Sequence, residues 1–554
     1  MASLSLRTTI SLALLAAAAC TRTSPHESSP LPAPDATAPA VVIDARFDDW
    51  RSPASSVSRS VDASLASDAL GSQAPLADVT SLAQQSDGRF VYLSLSLARA
   101  ASLYGLASTL SIAFDADDDA RTGATVDGLA GTDVTLDFSP RAPNGRVGEG
   151  AALRVFARDG AERAGDTYPL EFVMQPTVAS DRFEMRIARG RALRDSAAPE
   201  RVTTPLFSAS RFRAQLVGRD SAGAIRYRLP ILTGSLVPLD TAARPPAAVD
   251  PIARARGTEF RTLVWNVANE GIQARPDRFR RIISALDPDL LVLNEVGGVI
   301  GTEGVRAFLA TVGDPTRGAW HFTYGAAGGY QRTVIASRSA VDELPELRLI
   351  TFPDTMTERL LAAVPQSTRE RQRSSLRDGV PTGGAIVTLG GRRAMVVGVD
   401  LQSAGNAPGS WQEMRRVAEA RLIRDHTGAA LRTRGPVDGV IIAGDHNLVG
   451  TYEPLRTLRE AGVAFDRRAL TSADPLLQLD GATAATWDGR GGPFPPGRLD
   501  WFSYSDRTLE VLGGFVFDAS DLGPRWREAH GIDVSDSERS SDHRPLVIDL
   551  RWRR

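Results

Sequence analysis

Three short apolar strands end in side chains that suit metal and phosphate chemistry, and a fourth strand directly follows another such group. The side chains are carboxylates, amides and one imidazole, and the segments are Val264-Trp265-Asn266-Val267, Leu291-Val292-Leu293-Asn294-Glu295-Val296, Ile441-Ile442-Ala443-Gly444-Asp445-His446-Asn447 and Ser540-Ser541-Asp542-His543-Arg544-Pro545. Carboxylate and amide oxygens are hard ligands for Mg²⁺ or Mn²⁺, and an imidazole can hold a proton near neutral pH. A β-structure that brings these groups to one rim would form a site for a divalent cation and a phosphoester.

The second half of the chain, which carries these four segments, contains the sequence patterns of both strands and helices. Apolar residues recur at helical spacing over Pro276–Leu286 and Ser410–His426, and Ser410 is a favourable N-cap residue. Short apolar runs predict strands at 290–293, 334–336, 385–389, 395–399 and 440–443. This pattern predicts an α/β sandwich in which helices cover the sheets.

The first half, residues 41–239, has the period of β-strands. Apolar and polar residues alternate over Phe90–Leu97, Leu110–Phe114, Val134–Phe138 and Phe183–Ile187. Gly and Asp turns between these runs predict an antiparallel, all-β sandwich. A stretch rich in Pro and Ala, residues 240–257, is predicted to link this domain to the second one, residues 258–554.

From about Phe260 to Trp552 the chain resembles the endonuclease/exonuclease/phosphatase superfamily. The resemblance lies in the order of five motifs: Trp-Asn, Asn-Glu, Gly-Asp-His-Asn, Arg-Leu-Asp and Ser-Asp-His-Arg-Pro. It implies a four-layer α/β sandwich that hydrolyses phosphoesters with a divalent metal ion, Mg²⁺ or Mn²⁺. It also implies that Glu295 is the main metal ligand, assisted by Asn266, with Asp542 on the metal side. A solvated acid at a strand end is the plainer interpretation of Glu295.

The same resemblance assigns catalytic roles. It implies that Asp445 orients or deprotonates the attacking water and that Asn447 donates to a phosphate oxygen. It also implies that His543, supported by Asp500, holds a proton and stabilises the transition state. The plainer interpretations are an Asx-turn for Asp445 and Asn447 and a structural role for His543. Gly444 allows a sharp turn that would direct both side chains to the rim.

Asp400 is a departure from the superfamily pattern. Many relatives place a histidine or tyrosine at the end of the strand before the one that carries Asp445, whereas this chain has Asp400. An aspartate replaces an imidazolium as a proton donor only if its pKa is strongly raised, so Asp400 is also a candidate ligand for metal or for a substrate hydroxyl. The departure keeps a non-catalytic surface binding module open as the alternative function, although the presence of the other site residues favours an enzyme.

Two regions of the first half resemble the DOMON-like and family-nine carbohydrate-binding-module sandwiches. They are Ile43–Trp50, and Phe114–Asp119 taken with Thr122-Gly123 and Gly131-Thr132-Asp133. The resemblance implies a β-sandwich that binds a ligand such as a carbohydrate or acts as a spacer, and this half could carry the main function as a sugar binder. Asp115, Asp117 and Asp119 alternate along an acidic loop, which predicts either Ca²⁺ ligands or a solvated turn.

The charge balance bears on the substrate. The chain of 554 residues has 64 basic residues, all of them arginine, and a formal net charge of −2. Without a global basic field, binding to long nucleic acid is disfavoured, since phosphate neutralisation dominates such binding. The candidate substrates are phosphoesters of three kinds: nucleic acid, phospholipid head groups, and sugar or inositol phosphates. No protein partner is indicated.

The N-terminus has the features of an export signal. Residues 1–19 contain one basic residue, Arg7, and an apolar run over Ile10–Ala19. Cys20, the single cysteine of the chain, follows a lipobox-like stretch, so a bacterial lipoprotein signal with lipidation at Cys20 is predicted; a plain cleaved signal peptide is the alternative. Residues 20–40 are rich in Ser, Pro and Ala and are predicted to be a flexible tether. We therefore expect an exported protein that is anchored to a membrane.

Overall fold

The computed structural model describes residues 39–60, 76–142, 146–165, 167–190, 192–195, 198–240 and 247–554. The predicted signal, Cys20 and nearly all of the predicted tether lie outside these residues. Within the described ranges, no helix combines the length and the hydropathy that a membrane span requires.

The first half is built from strands, as its alternating pattern predicts. Their bounds are β1 (Ser55–Ser58), β2 (Val79–Ser86), β3 (Phe90–Ala101), β4 (Thr109–Asp115), β5 (Ala124–Val126), β6 (Leu129–Thr132), β7 (Val134–Phe138), β8 (Ala151–Phe156), β9 (Glu162–Gly165), β10 (Val173–Gln175), β11 (Ser180–Ala188), β12 (Ala192–Asp195), β13 (Ala198–Pro205), β14 (Arg211–Arg219), β15 (Ile225–Arg228) and β16 (Leu232–Ser235).

Two of the first-half sheets share one apolar core. The first has the order β1-β2-β3-β11-β10, and the second has the order β15-β14-β4-β7-β8-β9, with β16 also paired to β14. Leu93 and Met185 of the first sheet belong to the same buried cluster as Ile112, Leu136 and Leu216 of the second. The first half is therefore β-rich, as predicted, with two sheets packed on a common core.

Strands β4 and β7 differ from the simple alternation that the sequence predicts. Every residue of both strands is buried, including the polar residues Ser111 and Asp137. The hairpin of β5 and β6 accounts for part of this burial, because β6 contacts β4. Asp137 is also covered by Arg154, whose Nε donates to its Oδ2 at 2.7 Å. A polar face is buried here because local structure and an ion pair cover it.

The second half mixes strands and helices. Its strands are β17 (Phe260–Asn266), β18 (Leu290–Gly297), β19 (His321–Tyr324), β20 (Gln331–Ser337), β21 (Val341–Glu343), β22 (Thr382–Leu389), β23 (Arg392–Asp400), β24 (Gly439–Asp445), β25 (Thr471–Ser472), β26 (Asp500–Tyr504), β27 (Leu509–Val516) and β28 (Leu546–Trp552). Its helices are α1 (Gly271–Ala274), α2 (Pro276–Leu286), α3 (Gly301–Leu309), α4 (Pro345–Arg348), α5 (Asp354–Ala362), α6 (Arg369–Arg377), α7 (Trp411–Thr433), α8 (Glu453–Arg459), α9 (Val463–Asp466), α10 (Pro524–His530) and α11 (Asp536–Ser540). Short 3₁₀ turns cover Asp48–Trp50, Tyr168–Leu170, Pro315–Arg317, Gln366–Thr368, Glu460–Gly462 and Ala519–Asp521.

Two six-stranded sheets form the centre of the second half. Their orders are β19-β20-β18-β17-β28-β27 and β21-β22-β23-β24-β26-β25. Val264 and Ile548 of the first sheet share a buried cluster with Val396 and Ile441 of the second. Helices α2 and α3 pack on other residues of the first sheet, and α4 to α8 pack on the second. The predicted α/β class of this half is confirmed.

The two predicted helices form where their sequence patterns place them. Helix α2 spans the predicted range and buries Phe279, Ile282, Ile283 and Leu286; burial of each such side chain contributes about 1.5–3 kcal/mol. Helix α7 begins after Ser410, whose hydroxyl accepts a hydrogen bond from the backbone N–H of Glu413, as an N-cap residue should. It continues to Thr433, seven residues past the predicted end.

Residues 247–257 of the predicted linker contact the second half. Ile252 is buried, and its carbonyl accepts a hydrogen bond of 2.8 Å from Nη1 of Arg261. The backbone N–H of Ala255 donates to Oδ2 of Asp549 at 2.7 Å. Further along, Nε1 of Trp526 donates to the carbonyl of Ala247 at 2.9 Å. This part of the segment is therefore fixed against the α/β structure.

We expect Asp549→Asn to destabilise the second half by about 3–5 kcal/mol, the usual cost of breaking a buried ion pair. Arg261 and Asp549 are both buried, and Nε and Nη2 of the arginine donate to the two carboxylate oxygens at 2.7 and 2.8 Å. The substitution leaves the Arg261 charge uncompensated. Urea unfolding followed by tryptophan fluorescence measures the effect. Asp277→Asn, which breaks an exposed pair with Arg280, is the control and should change stability little; equal effects would contradict the account.

Candidate active site

The strand registers bring the candidate residues to one rim. Asn266, the last residue of β17, pairs with Asn294 of β18 where the parallel ladder of these strands ends. In the other sheet, Asp400 pairs with Asp445 at the ends of the parallel strands β23 and β24, and Asp445 also pairs with Asp500 at the start of the antiparallel β26. Because parallel strands carry their carboxyl ends to the same edge, two sheets deliver polar groups to a shared cleft.

Three carboxylates lie together at this rim: Glu295, Asp400 and Asp445, which we call the acid triplet. Each offers one oxygen, and these oxygens lie within 4.8 Å of one another. Asp400 is 5% exposed, and its Oδ2 has no hydrogen-bond partner. Glu295 and Asp400 also line a cavity of about 220 Å³, together with Gln331, Ser375, Asp378, Gln402, Ser403, Arg415, Glu419, Asn447 and four further residues. An unpaired buried carboxylate within a set of hard oxygen donors fits a divalent cation.

Glu295 is held at the rim by an irregular strand end. Its φ is 52°, in the left-handed region, and the ladder between β18 and β20 is interrupted between Leu293 and Val296. Nδ2 of Asn269 donates to Oε2 of Glu295 at 2.8 Å. Burial raises the pKa of Glu295, as does the nearby Asp542. Such a strained backbone position commonly accompanies a functional side chain.

Asn266 lies between two carboxylates of the acid triplet. Its Nδ2 donates to Oε1 of Glu295 at 3.1 Å and to Oδ2 of Asp445 at 3.0 Å. Its Oδ1 accepts from the backbone N–H of Ala268 at 3.0 Å. The amide therefore faces the acids with its donor end. Its predicted role as a metal ligand stays a prediction, since oxygen coordination requires the other end of the amide.

Gly444 is required at its position before Asp445. Its φ is 141°, and a Cβ there would lie 2.0 Å from the carbonyl oxygen of Val399 and 2.6 Å from Oδ1 of Asn294. The close approach lets the backbone N–H of Asp445 donate to Oδ1 of Asn294 at 3.2 Å. Burial raises the pKa of Asp445 to about 7. A carboxylate with this pKa is suited to accept a proton near neutral pH.

Asn447 lies beside Asp445 in a local turn. Its φ is 47°, and its backbone N–H donates to Oδ1 of Asp445 at 2.9 Å, which is the hydrogen bond of an Asx-turn. Its Nδ2 donates to the carbonyl of Leu401 at 2.9 Å. The Asx-turn of the plainer interpretation is therefore present in the structure. The same turn keeps Asn447 in the lining of the cavity.

His446 lies between Asp445 and Asn447 in the chain and is buried. Its Nδ1 lies 2.9 Å from the carbonyl oxygen of Gly444, and burial lowers the pKa of His446 to about 4.

His543 and Asp500 form a buried dyad next to the acid triplet. Nδ1 of His543 lies 2.8 Å from Oδ2 of Asp500, and Nε2 lies 3.7 Å from Oδ2 of Asp445. Burial lowers the pKa of His543, but the charges of Asp500, Asp445 and Asp542 outweigh it and hold the pKa well above its ordinary value. The backbone N–H of Asp500 donates to Oγ1 of Thr486 at 3.0 Å. The imidazole is thus oriented by one carboxylate and directed at another.

Asp542 lies beside the acid triplet but is not one of its members. Nε1 of Trp487 donates to its Oδ2 at 3.0 Å. Burial raises the pKa of Asp542, but the charge of His543 and the hydrogen bond from Trp487 outweigh it, so the pKa lies below its usual range. Its predicted place on the metal side stays a prediction.

Sequence reasoning missed several residues that hold the site. Asn269 contacts Glu295, Thr486 accepts from Asp500, and Trp487 donates to Asp542. Oγ of Ser541 donates to the carbonyl of Asn266 at 2.8 Å and accepts from the backbone N–H of His543 at 3.0 Å. Asn269 and Ser541 could have been found from their closeness to the site motifs. Thr486 and Trp487 lie in a loop whose sequence gives no such signal.

The acidic loop of the first half is arranged differently from the prediction. Asp115 and Asp117 lie together with Asp133, with one oxygen of each within 4.8 Å of the others. Asp119 instead accepts two hydrogen bonds of 2.8 Å from the guanidinium of Arg121. The candidate cluster therefore contains Asp133 beside Asp115 and Asp117, whereas the Asp119 carboxylate binds Arg121.

Comparisons with known proteins identify the second half. A family model described as the endonuclease/exonuclease/phosphatase family matches residues 263–543. No curated protein sequence matches the chain. The solved structures that the chain matches include a D. rerio TDP2 humanized by 14 mutations, at 17% identity over 53% of this chain and 98% of that one, with a TM-score of 0.33.

Two others cover similar shares of the chain. The 3'-5' exonuclease NExo of Neisseria meningitidis is 18% identical over 53% of this chain and 100% of that one, with a TM-score of 0.33. ANGEL2, a 2',3'-cyclic phosphatase, is 14% identical over 54% of this chain and 96% of that one, with a TM-score of 0.33. At these values the function has to be argued from the site itself.

Proposed function

Because the chain belongs to the endonuclease/exonuclease/phosphatase family, we propose that it is a divalent-metal-dependent phosphoester hydrolase. The observation that carries the proposal is the acid triplet directly beside the His543–Asp500 dyad. We also infer that the second half is a four-layer α/β sandwich, since two sheets share a central apolar cluster and helices pack on other residues of each sheet.

The metal proposal rests on the acid triplet. Glu295 and Asp400 would hold the ion, with Asp445 adjoining it, and Mg²⁺ or Mn²⁺ suits these oxygen donors. When bound, the ion would neutralise charge on the phosphate oxygens and polarise the phosphorus centre.

The remaining chemistry is assigned to side chains. Asp445 accepts the proton of the attacking water, a task that its raised pKa of about 7 suits. His543 carries a proton, held by the carboxylate of Asp500, and places its positive charge where negative charge develops on the phosphoryl oxygens. Asn447 turns its amide from the carbonyl of Leu401 to a phosphate oxygen as the transition state forms.

We propose that the substrate is a phosphoester with a small organic group. The cavity at the acid triplet adds the carboxylate of Asp378 and the hydroxyls of Ser375 and Ser403 to Asp400, whereas Glu419 and Arg415, which also line it, bind each other through a 2.8 Å hydrogen bond. Such a wall repels a second phosphate and suits hydroxyl groups, which favours a sugar, inositol or head-group ester over long nucleic acid. The net charge of −2 agrees with this preference.

The proposal is tested by hydrolysis assays on the full-length protein. The panel contains an aryl phosphodiester, an aryl phosphomonoester, inositol phosphates, sphingomyelin, single-stranded DNA and a 2',3'-cyclic nucleotide, the last two because similar structures include an exonuclease and a cyclic phosphatase. Turnover of any member that stops on Asp445→Asn substitution supports the enzyme and names its substrate class. Folded protein that binds a member of the panel without turning it over would support the alternative, a non-catalytic surface binding module.

Three further parts of the proposal rest on the sequence. We propose export and membrane anchoring through a lipid on Cys20, which incorporation of labelled palmitate into wild type and Cys20→Ser protein would test.

We propose Ca²⁺ binding at Asp115, Asp117 and Asp133, because one carboxylate oxygen of each lies within 4.8 Å of the others. Calorimetric titration with Ca²⁺ tests this proposal. A carbohydrate ligand for the first-half sandwich is proposed on its resemblance alone, and a glycan-binding assay tests it.

A further inference from the structure

The first-half sandwich contacts three loops that carry or adjoin the site residues. We call these the Asp400 loop (residues 401–407), the Asn447 loop (446–450) and the Trp487 loop (486–497). Each begins next to a candidate catalytic or site-holding residue: Asp400, Asp445 and Thr486. Each is also bound by the first half through hydrogen bonds or apolar packing.

The Asn447 loop is joined to the first half by its backbone. Oγ1 of Thr177 donates to the carbonyl of Leu448 at 2.6 Å, one residue from Asn447. The backbone N–H of Ala179 donates to the carbonyl of Gly450 at 2.9 Å. These bonds come from the segment just before β11 and hold the loop at Leu448 and Gly450.

Val178, between those two residues, completes an apolar cluster with the second half. It is 1% exposed and shares the cluster with Leu448, Leu455 and Trp501, all of them buried. Trp501 directly follows Asp500, the partner of His543. The same three-residue segment of the first half, Thr177–Ala179, therefore packs one position away from both Asn447 and Asp500.

The Trp487 loop packs against the first-half core. Phe494 packs against the sandwich cluster, with its ring edge-on to Tyr104 at 6.0 Å between centroids. The backbone N–H of Ala151 donates to the carbonyl of Pro493 at 2.6 Å. The start of this loop supplies Trp487, which donates to Asp542.

The Asp400 loop has a weaker link to the same sandwich. Nδ2 of Asn406 donates to Oε2 of Glu149 at 3.3 Å. Gly105 lies against Ala407, where an added Cβ would come within 3.2 Å of the alanine Cβ. Three loops around one cleft thus contact the same sandwich.

We propose that the first-half sandwich is a positioning element of the active site, in which Thr177 and Val178 set the placement of Asn447 and Asp500. The catalytic consequence of this positioning role rests on the proposed function. The role differs from the one expected of an independent module on a flexible linker. Thr177 and Val178 are positioning residues, since they act through Leu448 and Trp501 and touch no reacting group. A loop fixed in advance loses less conformational entropy when substrate binds.

The proposal is tested in the full-length protein with Thr177→Val, which removes the hydroxyl at nearly constant volume, and with Thr177→Ser, which restores it. The matched control is Thr80→Val, because Oγ1 of Thr80 donates to the carbonyl of Ser96 at 3.1 Å elsewhere in the same sandwich. Amide hydrogen exchange of residues 447–450 is the first readout. We expect Thr177→Val to speed exchange there by roughly 2- to 12-fold, as loss of one hydrogen bond implies, and the other two variants to leave it unchanged.

Kinetics give the second readout. We expect kcat of Thr177→Val to fall by a similar factor while KM stays nearly constant, because Asn447 is assigned to the transition state. Val178→Ala, which thins the cluster at Trp501, should act in the same direction and serves if Thr177→Val does not fold. Unchanged exchange and kcat in both variants would overturn the proposal. If the wild type turns over no phosphoester, the proposed function fails, and the exchange data alone decide whether the sandwich positions the loop.

Discussion

Glu295→Gln is expected to lower metal-dependent turnover by about 10²- to 10³-fold, the scale of losing one main source of transition-state charge stabilisation. Glu295 contributes to the acid triplet from a backbone position with φ 52°, and Asn269 fixes its second oxygen. Glutamine keeps the shape and removes the charge, so the cation loses a ligand while the fold stays intact. Calorimetric titration with Mn²⁺ measures the lost affinity independently of activity.

The control for this substitution is Glu303→Gln, which changes an exposed glutamate of helix α3. It should bind Mn²⁺ and turn over substrate as the wild type does. Wild-type Mn²⁺ affinity in a folded Glu295→Gln protein would contradict the assignment of Glu295 to the metal.

Asp400→Asn extends the same test to the residue at which this chain departs from its relatives. Burial and the charges of Glu295 and Asp445 hold the pKa of Asp400 well above its usual value. The proton on this group then competes with the cation, so Mn²⁺ affinity should strengthen as pH rises. We expect Asp400→Asn to weaken Mn²⁺ binding and to flatten that pH dependence; an unchanged titration would remove Asp400 from the metal site.

Asp500→Asn is expected to lower kcat by about 10²- to 10⁴-fold, the range for loss of a positioned acid–base group. The carboxylate of Asp500 lies 2.8 Å from Nδ1 of His543 and is a main cause of the raised pKa of the imidazole. If the protonated imidazole is the active form, activity is present below this pKa and falls as pH rises through it. Removing the charge of Asp500 lowers the pKa of His543, so the loss of activity on the alkaline side should move to lower pH.

The pH–rate profile of kcat for wild type and Asp500→Asn checks this shift. His543→Gln should remove the alkaline fall together with the activity. His530→Gln is the matched control, because His530 lies away from the cleft, with Nε2 at 2.9 Å from Asp250. An alkaline limb that stays in place in Asp500→Asn would contradict the assignment of that limb to His543.

Much of the fold could be predicted because local pattern and tertiary packing agree. Helix α2 buries the four residues that its spacing predicts, and β23 and β24 end at the acids that the sequence singles out. The strand ends also predict that the site lies at one rim of the sheets, because the parallel register carries Asp400 and Asp445 to the same edge.

Other features depended on contacts that no local pattern encodes. The donor end of Asn266 faces the acids because Ala268 engages its oxygen. Asp133, from the Gly131-Thr132-Asp133 motif, joins the acidic cluster of the first half, while the side chain of Arg121 binds Asp119. Phe494 lies in a loop of the second half, yet it packs against the core of the first half. Each of these is decided by a partner far away in sequence or by a side-chain rotamer.

Metal-dependent hydrolysis is best measured as the turnover of an aryl phosphodiester by the full-length protein with Mg²⁺ or Mn²⁺ and then with EDTA, in parallel with Asp445→Asn. Asp445 links the acid triplet, Asn266 and His543, so the account concentrates on this carboxylate. The account predicts turnover that requires the metal, returns when the metal is restored, and is lost in the variant. Turnover that persists in EDTA, or in folded Asp445→Asn protein, would contradict it.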